Sequence, residues 1–190
     1  MTAVKILQAL LFGFVLAATP PADEELEGRL WDLHIVPLDS ETAPAFTLAS
    51  LAGKQVSLSD FRGKAVLLYF WATWCPVCTR EFPSKMEQVH KRFNQKGLTV
   101  LAVNMKENRN QVANWVKEKK VTSLVLLDSN GTVSQWYRVT GTPTVILIGR
   151  KGEMLGRAIG PREWMGEKGR ALFETVLSAR VRSSVPAGNP

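Results

Sequence analysis

Cys75 and Cys78 are the only two cysteines of the 190-residue chain. A bridge between positions this close would remove little entropy from the unfolded chain, so a structural staple is a poor account of the pair. Two chemistries remain: reversible thiol–disulfide exchange, or half of a metal site. The chain has two histidines, His34 and His90, both far from the pair in sequence and read as surface or helix-face residues. A closed zinc site cannot be assembled from these Cys and His residues without carboxylates. Pro76 follows Cys75 directly, and proline suits the first position of a helix, where its missing N–H costs nothing. Cys75 is therefore expected where a strand ends and a helix begins. There the unpaired N–H groups and the positive end of the helix dipole favour its thiolate. Cys78, one turn further and more buried, is placed to resolve a mixed disulfide formed on Cys75.

The elements that must hold this pair are legible from hydrophobic spacing. Ala65–Trp71 is a short apolar run bounded by Gly63, the pattern of a strand buried on both faces. Phe82, Met86, Val89 and Phe93 share one side of a helix predicted from about Pro76 to Gln95, in which Pro83 cannot donate to the Thr79 carbonyl and should bend the axis. Further strands are expected at Leu98–Val103, Ser123–Leu127, Thr144–Ile148 and Met154–Ile159, the last two joined by the turn Gly149-Arg150-Lys151-Gly152. Asn108 or Asn110 should cap a helix carrying Val112, Trp115 and Val116. A helical turn bears Val133, Trp136 and Tyr137, and a final helix starts near Pro161 and runs through Met165, Leu172 and Val176 to about Arg180. Phe46-Thr47-Leu48 and Val56-Ser57-Leu58 alternate around Ala52-Gly53-Lys54 as an added N-terminal β-hairpin. The sum is an α/β domain: a mixed central sheet of about five strands flanked by helices on both faces.

At the N-terminus, Lys5 precedes an apolar run from Ile6 to Ala18, shorter than the roughly 20 residues a membrane-crossing helix needs. Residues 1–18 are read as a signal peptide or an N-terminal anchor, 19–42 as a proline-bearing linker, 43–180 as the domain and 181–190 as a disordered tail. Either reading of 1–18 puts the domain in a periplasmic or otherwise extracytoplasmic, oxidising compartment of a bacterium. The formal net charge is +7, but lysines alternate with glutamates, as in Lys117-Glu118-Lys119-Lys120, and no basic stripe is interleaved with stacking aromatics. Nucleic acid is excluded as a partner on that ground.

The strand Val66-Leu67-Leu68-Tyr69-Phe70-Trp71, the segment Ala72-Thr73-Trp74-Cys75 and Pro83 downstream resemble the active site of thioredoxin. Ala43-Pro44-Ala45-Phe46-Thr47-Leu48, Leu58-Ser59-Asp60-Phe61-Arg62-Gly63-Lys64, Phe70-Trp71-Ala72-Thr73-Trp74-Cys75 and Glu81-Phe82-Pro83 narrow the resemblance to the TlpA/ResA group of exported thioredoxin-like proteins, over roughly Ala43 to Phe173. The resemblance implies a thioredoxin-like fold and a thiol-disulfide oxidoreductase whose only redox group is the Cys75–Cys78 disulfide, with no metal or other cofactor. It implies a cis Thr142–Pro143 bond in Gly141-Thr142-Pro143-Thr144, lying against the cysteines, with the Thr142 backbone pairing an extended substrate segment. Trp74 and Pro76 beside Cys75 complete the expected substrate surface; among the other tryptophans, Trp71, Trp115, Trp136 and Trp164 are read as mostly core or rim packing. Thioredoxin's buried aspartate is matched here by Tyr69, and Glu81 matches a glutamate of the ResA-like group. Glu81 is either a buried proton partner of Cys78 or a solvated residue of the helix face. The implied partners are protein thiols and disulfides, either apocytochrome c before haem attachment or copper-site proteins of a respiratory oxidase, and a membrane thiol carrier as electron donor. The same cysteines could instead introduce disulfides. A copper- or zinc-binding module is the alternative from another class. A thiol peroxidase would need a cysteine in a Pro-x-x-x-Thr-x-x-Cys context, which the chain lacks.

Overall fold

The computed structural model describes residues 22–39 and 41–178, so the expectations for 1–18 and 181–190 fall outside the described residues. In chain order it contains α1 (Ala22–Asp32), β1 (Val36–Pro37), β2 (Thr47–Ser50), β3 (Gln55–Ser57), β4 (Ala65–Trp71), α2 (Pro76–Glu81), a π turn (Phe82–Met86), α3 (Glu87–Phe93), β5 (Leu98–Met105), α4 (Arg109–Glu118), β6 (Leu124–Asp128), α5 (Thr132–Trp136), β7 (Thr144–Ile148), β8 (Met154–Ile159) and α6 (Glu167–Ser178). The strands form one mixed sheet in the order β1-β8-β7-β4-β5-β6-β2-β3. β4 pairs parallel with β5 and antiparallel with β7, and β5 pairs parallel with β6. Among the described residues no helix is long and apolar enough to cross a membrane.

β4 is the axis of the fold, and every one of its residues is buried. Because side chains alternate across a strand, Leu67, Tyr69 and Trp71 enter one core with Val89, Phe93, Val112, Leu172 and Phe173. Val66, Leu68 and Phe70 enter the other with Phe46, Val133 and Tyr137. Each large side chain so buried contributes about 1.5–3 kcal/mol. The strand that delivers Cys75 is thus clamped from both sides.

Three expectations are corrected. The segment read as a linker carries α1, whose Leu30 is buried along with Leu33 and Ile35 just beyond it. The prolines that suggested a linker flank this helix rather than interrupt it, and Asp23, Glu24 and Glu25 suit its first turn, where the dipole is positive. The sheet has eight strands rather than five: β2 of the hairpin pairs with β6 at one edge, and β1 adds to β8 at the other. The last helix starts at Glu167 rather than near Pro161. Gly160 has a φ of 83°, and the Arg162 N–H is bonded to a side chain elsewhere, so 160–166 forms a loop.

At Pro83 the helix widens instead of ending. With no N–H at Pro83, the ladder slips to a longer period over Phe82–Met86, and the Glu87 N–H reaches the Phe82 carbonyl. The Ser84 hydroxyl donates to the carbonyls of Arg80 and Glu81, at 2.5 and 3.3 Å. The helix therefore continues without a break through α2, the π turn and α3, and Phe82, Met86, Val89 and Phe93 are all fully buried.

Candidate active site

The cysteine pair sits where β4 hands over to α2. Cys75 is the N-cap residue, extended in backbone, and Pro76 occupies the first helical position. The two sulfurs form a disulfide. The Cys78 N–H donates to Cys75 Sγ at 3.1 Å, so the sulfur accepts from an N–H that the helix leaves without a partner. Cys75 is 4 % exposed and Cys78 fully buried, which leaves Cys75 as the sulfur an incoming group can reach. Across from it, the carbonyl oxygen of Thr142 lies 3.6 Å from Cys75 Sγ. The Thr142–Pro143 bond is cis. That loop is held by the Thr144 hydroxyl, which donates to the Gly141 carbonyl at 2.6 Å, and by the Gly160 N–H, which donates to the Pro143 carbonyl at 2.8 Å. Trp74 is 66 % exposed beside the pair, and Pro76 is exposed as well.

Glu81 is 4 % exposed, so it is not a solvated residue of the helix face. Its Oε2 accepts from the Tyr69 hydroxyl at 3.2 Å; its Oε1 accepts from the Arg162 N–H and from the Trp164 indole N–H, both at 3.1 Å. Desolvation raises its pKa above the ordinary carboxylate value; the bonds from Arg162, Trp164 and Tyr69 and the charge of Lys85 pull it down only in part. Tyr69 is itself pushed upward by burial, then by the charge of Glu81 and the bond to it, so it stays a neutral donor. One turn separates Glu81 from Cys78, a spacing that brings side chains of one helix face together. The strand position of Tyr69 thus holds no carboxylate; the buried carboxylate beside it is Glu81 of the helix, which Tyr69 of β4 holds through its hydroxyl.

A second buried carboxylate, Glu107, shapes the loop before Cys75. It accepts from the Thr73 N–H at 2.7 Å, from the Thr73 hydroxyl at 2.5 Å and from the Asn104 amide at 2.6 Å. Gln111 donates to both Thr73 Oγ1, at 2.8 Å, and Glu107, at 3.1 Å. Lys106, with a φ of 54°, makes the sharp turn ahead of Glu107 after β5. Sequence reasoning missed this residue, although its place just past a strand parallel to β4 was a usable signal. It also took Trp164 as packing alone. Trp164 is buried and stacked with Phe173, but its N–H serves Glu81. Trp136, at 53 % exposure, takes a rim rather than a core position.

Comparison with known proteins points the same way as the geometry. The profile of the AhpC/TSA family matches residues 40–155. The chain is 38 % identical over 117 residues to the thiol-disulfide oxidoreductase ResA of Bacillus subtilis strain 168, a match spanning 62 % of this chain and 65 % of that protein, just under two thirds of its length. To the ResA of Bacillus thuringiensis subsp. konkukian it is 33 % identical over 135 residues, covering 71 % of this chain and 74 % of that one. The crystal structure of a thiol:disulfide interchange protein of the thioredoxin family from Chlorobium tepidum superimposes with a TM-score of 0.65 at 28 % identity, covering 74 % of this chain and 98 % of the other.

Proposed function

The chain belongs to the AhpC/TSA family and is a thioredoxin-fold thiol-disulfide oxidoreductase, and from that premise we propose that it reduces disulfides of exported proteins outside the bacterial cytoplasm. The observation that carries this reading is the asymmetry of the pair. Cys75 is a helix-capping sulfur with a reachable face beside the Thr142 carbonyl, and Cys78 is buried behind it. In the reduced protein, the Cys75 thiolate attacks one sulfur of the target disulfide, forming a mixed disulfide and releasing the other target sulfur as a thiolate. Cys78 then attacks Cys75 Sγ. The Cys75–Cys78 disulfide forms, the second target thiolate leaves, and two electrons have passed to the target. Glu81 accepts the Cys78 proton in that second step, a task for which a carboxylate whose proton affinity is raised by burial is better suited than a solvated one. Trp74, Pro76, Thr142 and Pro143 line the rim on which an extended target segment pairs with the Thr142 backbone.

The target class is apocytochrome c or a copper-site protein, and a membrane thiol carrier restores the dithiol; both come from the resemblance to the ResA-like group. Cys78→Ala tests the scheme directly, because the mixed disulfide then forms on Cys75 and cannot resolve. Mass spectrometry of the trapped adduct should identify an exported protein bearing paired cysteines. A reduction potential near thioredoxin's roughly −270 mV agrees with a reductase, and one near about −120 mV would turn the assignment into a disulfide-introducing oxidase.

A further inference from the structure

Arg162 lies outside every motif that marks the cysteine pair, yet it touches both the site and the N-terminal segment. Its backbone N–H donates to Glu81 Oε1. Its guanidinium is spread over carbonyls: Nε donates to Leu33 at 2.8 Å, Nη2 to His34 at 2.9 Å, and Nη1 to Ile159 at 3.1 Å and Pro161 at 2.8 Å. The Leu33 and His34 carbonyls are available because the chain leaves α1 in a tight turn. There the Leu33 and Ile35 N–H groups return to the Leu30 carbonyl, and His34 adopts a φ of 53°. Trp164 follows on the same loop, with its ring buried against Phe173 and its N–H on the same Glu81 oxygen.

We propose that the loop 160–164 is a positioning element for Glu81, in which Arg162 and Trp164 aim two N–H groups at one carboxylate oxygen and the Arg162 side chain pins that aim to the end of α1. The inference rests on the reading of Glu81 as the proton partner of Cys78. It gives the N-terminal segment a part in the chemistry: the turn after α1 is the anchor from which the loop reaches the carboxylate.

The other charged groups around Glu81 do not duplicate these contacts. Tyr69 from β4 takes the opposite oxygen. Lys85, on the same helical run, is ion-paired with Glu163 of the loop. From the end of α1, Asp32 pairs with Lys168, and His34 contributes its carbonyl to Arg162. Cys75 and Cys78 stand at the start of the helix.

The sign of the effect follows from what the donors do. An N–H aimed at a carboxylate favours its charged form, so losing one moves the titration upward. Trp164→Phe removes the indole donor and keeps an aromatic ring. It should raise the Glu81 titration, read by carbon NMR of the labelled carboxyl in the full-length protein, by about one pH unit. The limb of the rate–pH profile that follows Glu81 should move with it. Arg162→Ala should move both readouts in the same direction. Arg162→Lys should resemble Arg162→Ala, since one ammonium cannot span those carbonyls. In a Glu81→Gln background, neither Trp164→Phe nor Arg162→Ala should move the profile further. If Glu81→Gln shifts the profile and both loop variants titrate like the parent, the positioning role is wrong. If Glu81→Gln leaves the profile unchanged, the proton-partner reading falls, and the NMR titration alone decides whether the loop sets the carboxylate.

Discussion

Glu81 and Glu87 lie on one continuous helical run, on either side of the π turn, and are almost equally buried, at 4 % and 3 % exposure. Their proton affinities are nevertheless displaced in opposite directions. Glu87 faces the chain ahead of β6, where Thr122 gives one oxygen an N–H at 2.8 Å and a hydroxyl at 2.7 Å, and Ser123 gives the other an N–H at 2.9 Å and a hydroxyl. Desolvation still pushes its pKa up, but these four bonds together outweigh it, and the group stays ionised below the usual range. Glu81 has three donors, all at 3.1–3.2 Å, and there desolvation wins. Low exposure alone thus leaves the direction open: Glu81 lies deeper and its oxygens are less fully supplied with donors, and the two differences act the same way. The lower end of the helix uses a carboxylate as a tie between α3 and the chain entering β6. The cysteine end keeps one undersupplied, where it can take up a proton.

The largest effects should separate these two ends. Cys75→Ala should reduce disulfide reduction to the uncatalysed background with the domain still folded, because the bridge closes only a small ring and adds little stability. Activity surviving with model disulfides would overturn the assigned mechanism. Glu87→Ala should do the converse. Stranding the Thr122 and Ser123 donors should cost about 2–4 kcal/mol in denaturant unfolding, with the pH profile of catalysis unmoved in the folded fraction.

Glu81→Gln gives a subtler result. The fold should persist and the profile for reduction should lose the limb that follows Glu81, whereas an unchanged profile would remove its catalytic role. Linkage sharpens the contrast. The pKa of Glu87 is lowered on folding, so its contribution is present above its ordinary value near 4.5 and is lost as pH falls through the folded value. Glu81 is raised, so its contribution is present below 4.5 and is lost as pH rises through its folded value. At neutral pH, Glu81→Gln should therefore leave stability unchanged or higher, measured by denaturant midpoint, where Glu87→Ala lowers it.

Local pattern carried much of this into the sequence. The apolar run of β4, the spacing Phe82-Met86-Val89-Phe93 and the turn at Gly149–Gly152 each declare an element, and the observed bounds of β4, β7 and β8 are those the pattern predicts. Cys75 and Pro76 mark the strand-to-helix junction for the same local reason. The remainder depended on contacts between distant segments. Leu26, Leu30 and Leu33 have helical spacing, but the flanking prolines point to a linker. Only packing of α1 against α6 and the sheet makes this segment part of the domain. Glu81 could be read as buried or solvated until Tyr69, Arg162 and Trp164 were seen to converge on it. Glu107 has local partners in Asn104 and Gln111, but polar residues at that spacing are ordinary; what sets it beside the cysteine loop is Thr73, which lies far away in the chain.

Glu107 tests whether saturation also predicts the smaller effects. It is buried like Glu81 and Glu87 and lies beside the cysteine loop, yet its bonds make it a tie: Thr73 supplies an N–H and a hydroxyl, and Asn104 an amide. Glu107→Gln keeps the shape but replaces one acceptor oxygen with a donor, so one of the bonds to Thr73 or Gln111 must be given up. Losing about 1 kcal/mol of loop positioning should slow disulfide reduction roughly fivefold. The fall should be the same at every pH, because these bonds position the loop and pass no proton in the reaction. Stopped-flow rates across the pH range distinguish this uniform loss from the reshaped profile of Glu81→Gln. A reshaped profile for Glu107→Gln would mean that proximity to the cysteines, rather than the supply of donors, sets a buried carboxylate's role in this protein.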